Sequence, residues 1–373
     1  MGRPKQGGAL SEYPNRIRQL ILQLREKNPG WGSISILLEL RLDYGYLASE
    51  LPSLASTHNF LRQSGCIKER EPKSPLPLSK CRSSKRPHEK WELDAKGAVF
   101  VEGVGFQALI DIKDNFSKKY CMAFPVSVKN RNTQPRTLHY KWALRLAFIE
   151  SGLPKAIQVD KDSVFIENSS KSPFPSRLHL WLLALGVELC FIDRPPPAMN
   201  SMVERSHQTI YNQALKGKSY KTWGSIYKNI NKRRQRLNEH YPSRTLGKKA
   251  PIQVHPKAKH SGKYYSVQQE EQLLDLKRIY AFLAKGKWYR KVSASKGAHI
   301  GAKRYVLKKA KPHTIVVITF CNRCKKFIFH DVKEQELGRH PIKELSIQSI
   351  MESTTAILVA DFERILKARK FPL

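Results

Sequence analysis

The sequence predicts an α/β protein: a mixed sheet forms its centre, helices precede the sheet and a small β-barrel follows it. Three observations lead to this prediction. Residues 91–192 read as three alternating strands followed by helix, strand, helix and strand. Residues 10–68 repeat apolar side chains at helical spacing, and residues 264–346 contain several short strands separated by glycine turns.

The composition limits the partners that this chain can have. Its 373 residues, 40% of them hydrophobic, are enough for two or three domains with real cores. The formal net charge of +36 calls for a polyanionic partner, and nucleic acid is the usual one. No stretch is apolar enough to span a bilayer, and MGRPKQGG at the start is no signal region, so we expect no membrane partner. Six scattered cysteines indicate a reducing cytoplasm rather than a disulfide framework.

The N-terminal part of the chain has the pattern of short amphipathic helices. The apolar residues at helical spacing in the first helix are Ile17, Leu20, Ile21 and Leu24. NPGWG at residues 28–32 predicts a turn, Ser33 is predicted to cap a helix over residues 34–41, and a third helix is expected near residues 52–62. In the third helix, Leu54, Phe60 and Leu61 are expected to face inward.

Short helices joined by tight turns in a basic chain suggest a helix-turn-helix module. Its last helix would enter the major groove with small polar side chains near the bases. These side chains are Ser53, Ser56, Thr57, His58 and Asn59. A plain helical bundle without DNA contact remains an equal alternative.

The central strands and helices can be assigned one by one. The expected antiparallel strands are WELDAKG, FQALIDI and KYCMAFPV, with a turn at residues 114–117 between the last two. A helix follows over about residues 133–151, and the buried strand 156–159 ends on Asp160. A helix that Gly186 terminates, a strand over 187–192 and a helix that Ser201 opens complete the pattern.

The later strands read as WYRKV, HIGAKRYVL, TIVVITF and KFIFHDV. The whole chain then divides as follows: 1–68, helix-turn-helix region; 69–90, basic proline-rich linker; 91–240, catalytic core; 241–263, linker; 264–346, small β-barrel; 347–373, amphipathic helical tail.

Three acids in this pattern have the chemistry of a metal site. Asp94 lies in the first strand, Asp160 ends the buried strand, and Glu204 lies in the first turn of the following helix. Carboxylates are the ligands that Mg²⁺ prefers, and acids at strand ends and helix starts meet at one edge of a sheet. Each acid also has an ordinary interpretation. Asp94 could be an exposed strand residue, and Asp160 could be a turn residue whose proposed role Asp162 could take instead. Glu204 could form a capping box with Ser201 at the start of its helix.

In order along the chain, these segments resemble a known family. VDKDSVF, then LWLLALGVEL, then RPPPAMNSMVERSHQTI resembles the integrase-core (DDE) transposases of bacterial insertion sequences, which are related to retroviral integrases. WELDAKG is similar to the family's first-acid strand, and NPGWGSISILLEL is similar to its helix-turn-helix. HDVKEQELGRHPIKEL is similar to the C-terminal β domain of one subgroup.

The resemblance implies an RNase-H-like fold in which Asp94, Asp160 and Glu204 are catalytic and hold two Mg²⁺ ions, or Mn²⁺. It implies transposition: the enzyme cuts double-stranded DNA at the ends of the element, and the freed 3′ hydroxyl attacks target DNA. It also implies a homo-oligomer on DNA and a bacterial, nucleoid-associated place in the cytoplasm.

Two departures from the family pattern leave a second interpretation open. Lys161 stands where the family usually has Asn, and an insert near residues 169–176 lengthens the stretch before Glu204. The alternative is a catalytically inactive DNA-binding protein, either a regulator or a decayed element copy. A nuclease that cuts without joining would share the core.

Several residues are expected to contact DNA because they are polar or basic on the predicted elements. They are Ser56, Thr57, Asn59, Lys161, Arg205, Arg233, Arg234, Lys303 and Arg304. Cys321 and Cys324 invite a zinc interpretation, but no second tight pair follows. A β-hairpin with the cysteines at its turn is the favoured alternative.

Overall fold

The computed structural model describes residues 10–67, 84–167, 172–192 and 201–351, with side chains described from residue 205 onward in the last range. The chain divides into two units. The first unit comprises residues 1–87, 94–135 and 195–259, and the second comprises residues 88–93, 136–194 and 260–373.

Three helices open the first unit: α1 Asn15–Lys27, α2 Ser33–Leu42 and α3 Leu54–Gln63. Their shared core contains Ile21, Ile36 and Leu61, all fully buried, as expected from helical spacing. The expectation that Leu54 faces inward was wrong, because its side chain is 48% exposed. Leu54 is the first residue of α3, just after the Ser53 hydroxyl that accepts the Ser56 amide at 3.1 Å.

The strands of the central region are β1 Lys90–Val101, β2 Gly105–Asp114, β3 Tyr120–Ser127, β4 Ala156–Val159, β5 Ile166–Glu167, β6 Phe174–Pro175 and β7 Glu188–Phe191. Five of them form one sheet in the order β3-β2-β1-β4-β7. Strand β3 pairs with β2 antiparallel, whereas β4 pairs in parallel with β1 and with β7. The predicted mixed sheet of antiparallel and parallel strands is therefore confirmed. Strand β1 contributes residues to both units.

The helices of the central region are α4 Thr137–Ser151, α5 Arg177–Ala184, α6 Ser201–Ile210 and α7 Trp223–Glu239. In the first unit, Ile210, Ile226 and Ile230 from α6 and α7 share a core with Leu109 of β2 and Ala123 of β3. This packing holds α6, the helix that carries His207, beside the antiparallel strands.

A glycine ends α4 in the second unit for a steric reason. Gly152 has a φ of +72°, and a Cβ there would lie 2.7 Å from the Lys263 carbonyl oxygen. The Leu153 amide donates to that same oxygen at 2.9 Å. Only glycine lets the chain turn this tightly from α4 toward β4.

The rest of the chain contains helices as well as strands. The helices are α8 Pro251–Val254, α9 Glu270–Leu273, α10 Leu276–Leu283 and α11 Ile347–Met351. The strands are β8 Lys287–Lys291, β9 Gly297–Ile300, β10 Lys303–Val306, β11 Ile315–Cys321, β12 Lys326–His330 and β13 Glu336–Pro341. They form a four-stranded sheet, β13-β12-β11-β8, and a separate β9-β10 hairpin.

One expectation for this region was wrong. HIGAKRYVL is not one strand, because Gly301 and Ala302, with φ of +60° and +57°, turn the chain between β9 and β10. Helices α9 and α10 precede the strands inside this β-rich segment. The predicted linker 241–263 contains α8, and most of the linker 69–90, part of the insert 169–176 and most of the tail 347–373 lie outside the described residues.

Candidate active site

Asp94 lies on β1 in the first unit, with its side chain 25% exposed. One carboxylate oxygen, Oδ1, accepts the backbone amide of Ala95 at 2.9 Å. The other, Oδ2, lies 3.2 Å from Nε2 of His207 on α6. The carboxylate is therefore held in a defined orientation while part of it stays accessible.

His207 is placed between two acids of the first unit. Its Nδ1 lies 2.9 Å from Oδ2 of Asp111 on β2, close enough for an ion pair although off the line of a hydrogen bond. The side chains of His207 and Asp111 are 5% and 0% exposed. Burial would lower the pKa of His207, but the negative charges of Asp111 and Asp94, together with the hydrogen bond to Asp94, outweigh it and raise the pKa to about 9. His207 is thus a cation at neutral pH.

Glu204 lies on α6, the helix that also carries His207. Glu204 precedes His207 by three positions on α6, and residues three apart on an α-helix share a face. The rise between them is about 4.5 Å along the axis. The Glu204 side chain itself lies outside the described residues.

Asp160 lies in the second unit, at the exposed position directly after β4. Lys161, which follows it, is exposed as well. The neighbouring acid Asp162 has a different role: its Oδ1 accepts the Val164 amide at 2.9 Å and the Ser163 hydroxyl at 3.1 Å. Asp162 holds a turn, so it no longer competes with Asp160 as the candidate ligand.

The residue types fit a hard divalent cation. Asp94 and Asp160 are accessible carboxylates, and the oxygen of Asp94 that accepts from His207 has the hydrogen-bonded support typical of ligating carboxylates. Among the side chains that the structure describes, no group of three or more His, Cys, Asp or Glu could hold a metal ion. Glu204 is not in that searched set.

The residues of α3 that were expected to read DNA divide into two groups. Asn59 is exposed and Ser56 is half-buried at the start of the helix. Thr57 is fully buried, and its hydroxyl donates to the Ser53 carbonyl at 2.9 Å. Thr57 therefore belongs to the helical core, and we leave it out of any DNA-binding surface.

The candidate basic residues of α6 and α7 also include both exposed and buried side chains. Arg205 is exposed. Arg233 is buried, and its guanidinium donates to Glu39 of α2 at 2.8 and 3.2 Å. Arg234 is fully buried and donates to the carbonyls of Tyr120 and Cys121 at 3.0 and 3.1 Å. Arg233 and Arg234 thus have structural roles that the sequence-based expectation of DNA contact did not foresee.

The C-terminal candidates lie on the β9-β10 hairpin and the β11-β12 hairpin. Lys303 pairs with Glu344, and Arg304 donates to the Ser295 carbonyl at 2.8 Å while its residue remains exposed. Cys321 ends β11, and the Cys324 amide donates to its sulfur at 3.5 Å. The cysteines therefore lie at a hairpin turn, as the favoured alternative predicted.

The sequence analysis missed the part that His207 and Asp111 play. Two signals were available: His207 is one helical turn after Glu204, and Asp111 interrupts an otherwise apolar strand. An acid in a buried strand needs a partner, because an unpaired buried charge is costly. Only the fold showed that this partner is the histidine three residues after the candidate catalytic glutamate.

No model of a known protein family matches the chain. Solved structures similar to it include the HTLV-2 integrase catalytic core domain in complex with magnesium, with TM-score 0.34 and 16% identity over 47% of this chain and 99% of that chain. A simian T-cell lymphotropic virus intasome in complex with PP2A regulatory subunit B56 gamma has TM-score 0.38 and 13% identity, over 80% of this chain and 91% of that chain.

The BIV integrase catalytic core domain has TM-score 0.33 and 12% identity, over 46% of this chain and 95% of that chain. All three TM-scores are below 0.5, and the sheet order and strand directions given above define the fold of this chain.

Proposed function

We propose that this protein is a metal-dependent DNA-cutting and DNA-joining enzyme of the transposase and integrase type. The contact of His207 with Asp94 supports the proposal, because Glu204 precedes His207 by three positions on α6 and residues three apart on a helix share a face. The net charge of +36 supplies the attraction for DNA.

Asp160 is the third acid of the proposal. It directly follows β4, at the carboxyl end of a parallel strand, which is where acids of α/β sheets commonly form sites. This supports the proposal that Asp94, Asp160 and Glu204 act together on two Mg²⁺ ions, or Mn²⁺.

Each residue has a role in the proposed reaction. When bound, the ions activate the attacking oxygen and stabilise the leaving oxygen of the phosphodiester. Asp94, Asp160 and Glu204 are the ligands, and His207 orients the Asp94 carboxylate. The exposed cations Lys161 and Arg205, each adjacent in sequence to a proposed ligand, contact DNA phosphates.

The N-terminal helices and the C-terminal strands also contribute to the proposed DNA binding. Exposed polar residues of α3, among them Asn59, contact DNA as part of a helix-turn-helix. The strands of residues 287–341 form a small β domain of barrel type that adds basic surface. Because two element ends have to be held in one complex, we expect a homo-oligomer on DNA.

The test is strand transfer with Mg²⁺ by Asp160→Asn and Glu204→Gln, with Asp162→Asn as the matched control. Loss of a metal ligand should reduce DNA joining by more than about a hundredfold, since even supporting partners of ligands cost 10- to 100-fold. Asp162→Asn should retain joining, because that acid only holds a turn. Full activity of Glu204→Gln would exclude this site, and DNA binding without any cutting by the unmodified chain would identify a catalytically inactive DNA binder.

A further inference from the structure

A concave groove of about 480 Å³ lies within the second unit. One of the residues that line it is Lys161, which directly follows Asp160 in the chain. The part of its lining that matters here is Lys161, His179, Phe282, Lys285, Lys287 and Trp288, which we call the aromatic groove. Lys161, Lys285 and Lys287 are exposed, and none of the described residues that line the groove is acidic. The groove is thus suited to an anion.

The walls of the groove are aromatic. Phe282 is 38% exposed, and its ring lies edge-on to the ring of His179 at 5.2 Å. Trp288 is buried, and the absence of a side chain at Gly286 makes room for it, because a Cβ there would lie 2.3 Å from the indole. A partly exposed aromatic ring beside lysines is the pattern of single-stranded nucleic-acid sites.

His179 gives a second, independent indication of a ligand. Its residue is 4% exposed, and its Nδ1 has no hydrogen-bond partner among the described residues. Burial lowers the pKa of His179 to about 4, so the ring is neutral at pH 7 and can serve as donor and acceptor. A buried polar atom without a partner is costly, and the polar edge of a bound base would provide one.

We propose that the aromatic groove binds one unpaired nucleotide of a DNA strand, with its base against Phe282 and its phosphates against Lys161, Lys285 and Lys287. The site takes a single-stranded segment because the bases of a duplex are already stacked on both faces. Lys161 follows Asp160 directly, so the bound nucleotide lies near the strand being cut. This last step rests on the proposed function, whereas binding itself does not.

The first experiment measures binding of the full chain, with EDTA present, to a fluorescent strand of about 12 nucleotides and to the matching duplex. Phe282→Leu keeps apolar volume but removes the π-face, and it should weaken single-strand binding about tenfold while duplex binding changes less than about twofold. Tyr264→Leu, at an 81% exposed aromatic of the same unit, is the control and should change neither.

The second experiment removes charge. Lys285→Ala/Lys287→Ala should reduce the salt slope of single-strand binding by about 1.4, whereas Lys308→Ala/Lys309→Ala, an exposed pair outside the groove, should reduce it by less than half of that. A 2-aminopurine base in the strand should lose fluorescence on binding to the unmodified chain and not to Phe282→Leu.

The inference is overturned if Phe282→Leu binds the single strand as tightly as the unmodified chain, or loses single-strand and duplex binding equally. An unchanged Tm of each variant shows that folding is intact. Because EDTA excludes chemistry, these results are separate from strand transfer. If the groove does not bind a single strand but DNA joining still depends on Asp160, the proposed function stands without the groove. If the groove binds a single strand but joining does not depend on Asp160, the groove stands without the proposed function.

Discussion

At the residue scale, burial separates side chains that look alike in the sequence. Arg233 and Arg234 lie in a basic run that the sequence suggests is a DNA-binding patch. In the structure, the Arg233 guanidinium donates to Glu39 and the Arg234 guanidinium donates to main-chain carbonyls. His207 is the opposite case, because an inconspicuous histidine carries a buried positive charge between Asp94 and Asp111. The environment that the fold provides decides which charges are available to DNA.

Replacing His207 should lower the free energy of unfolding, because the buried Asp111 then lacks its positively charged partner. His207→Gln leaves the fully buried Asp111 without its cation, and we expect the free energy of unfolding in urea to fall by about 3–5 kcal/mol. His207→Gln/Asp111→Asn should recover much of this loss. The control is His240→Gln, an exposed histidine 3.7 Å from Glu239, which should change stability by less than about 1 kcal/mol. An unchanged stability of His207→Gln would contradict the ion-pair account.

At the element scale, α2 and α7 of the first unit are joined by charge as well as by apolar contact. Glu39 of α2 is 7% exposed and receives the guanidinium groups of Arg233 and Arg236 from α7. The Arg233 guanidinium also lies 3.9 Å from the centre of the Trp31 ring, whose indole donates to the Gln213 carbonyl at 3.0 Å. The N-terminal helices and α7 should therefore unfold together.

This coupling can be measured by neutralising one acid at a time. Glu39→Gln leaves the buried Arg233 guanidinium without its counter-charge and should destabilise the chain by about 3–5 kcal/mol in urea. Glu239→Gln on α7 is the control: its side chain is 54% exposed and lies 3.7 Å from His240, so its loss should cost less than about 1 kcal/mol. If Glu39→Gln produced a separate early transition of the N-terminal helices alone, those helices would not form one cooperative element with α7.

At the scale of the whole molecule, the surplus of positive charge is the dominant property. A net charge of +36 remains large after the buried arginines are set aside. No described helix has both the length and the apolar character needed to cross a bilayer. The exposed lysines and arginines are the groups that can displace counterions from DNA, and they determine affinity rather than sequence preference.

Duplex binding should therefore depend steeply on salt. We expect the affinity for a random duplex to fall about a thousandfold or more between 50 and 200 mM salt. Arg205→Ala should make the slope of log K against log salt shallower by about 1. Asn59→Ala, which removes no charge, should leave the slope unchanged while altering the preference among sequences. Affinity that does not respond to salt would rule out the phosphate contacts.

Much of the fold and part of the site could be read from local pattern. Strand β4 was predicted over the residues that form it, and β1, β2, β3 and α4 lie where period-2 and period-3.6 patterns placed them, within a few residues at their ends. The β9-β10 turn was missed because Gly301 and Ala302 occur in an otherwise continuous strand-like run. The candidate acids were chosen by their positions on these elements, but the Asp111–His207 pair depends on contacts distant in sequence.

The periodicity of apolar residues and the net charge are both read from the sequence without knowledge of contacts. They determined on their own that this is a mixed α/β protein with an excess of cations. The tertiary structure alone decided which cations remain at the surface, which acid holds a turn and which histidine supports Asp94. The physical reason is that pairing and burial of charge depend on neighbours in space, and chain order does not specify those neighbours until the strands and helices have packed.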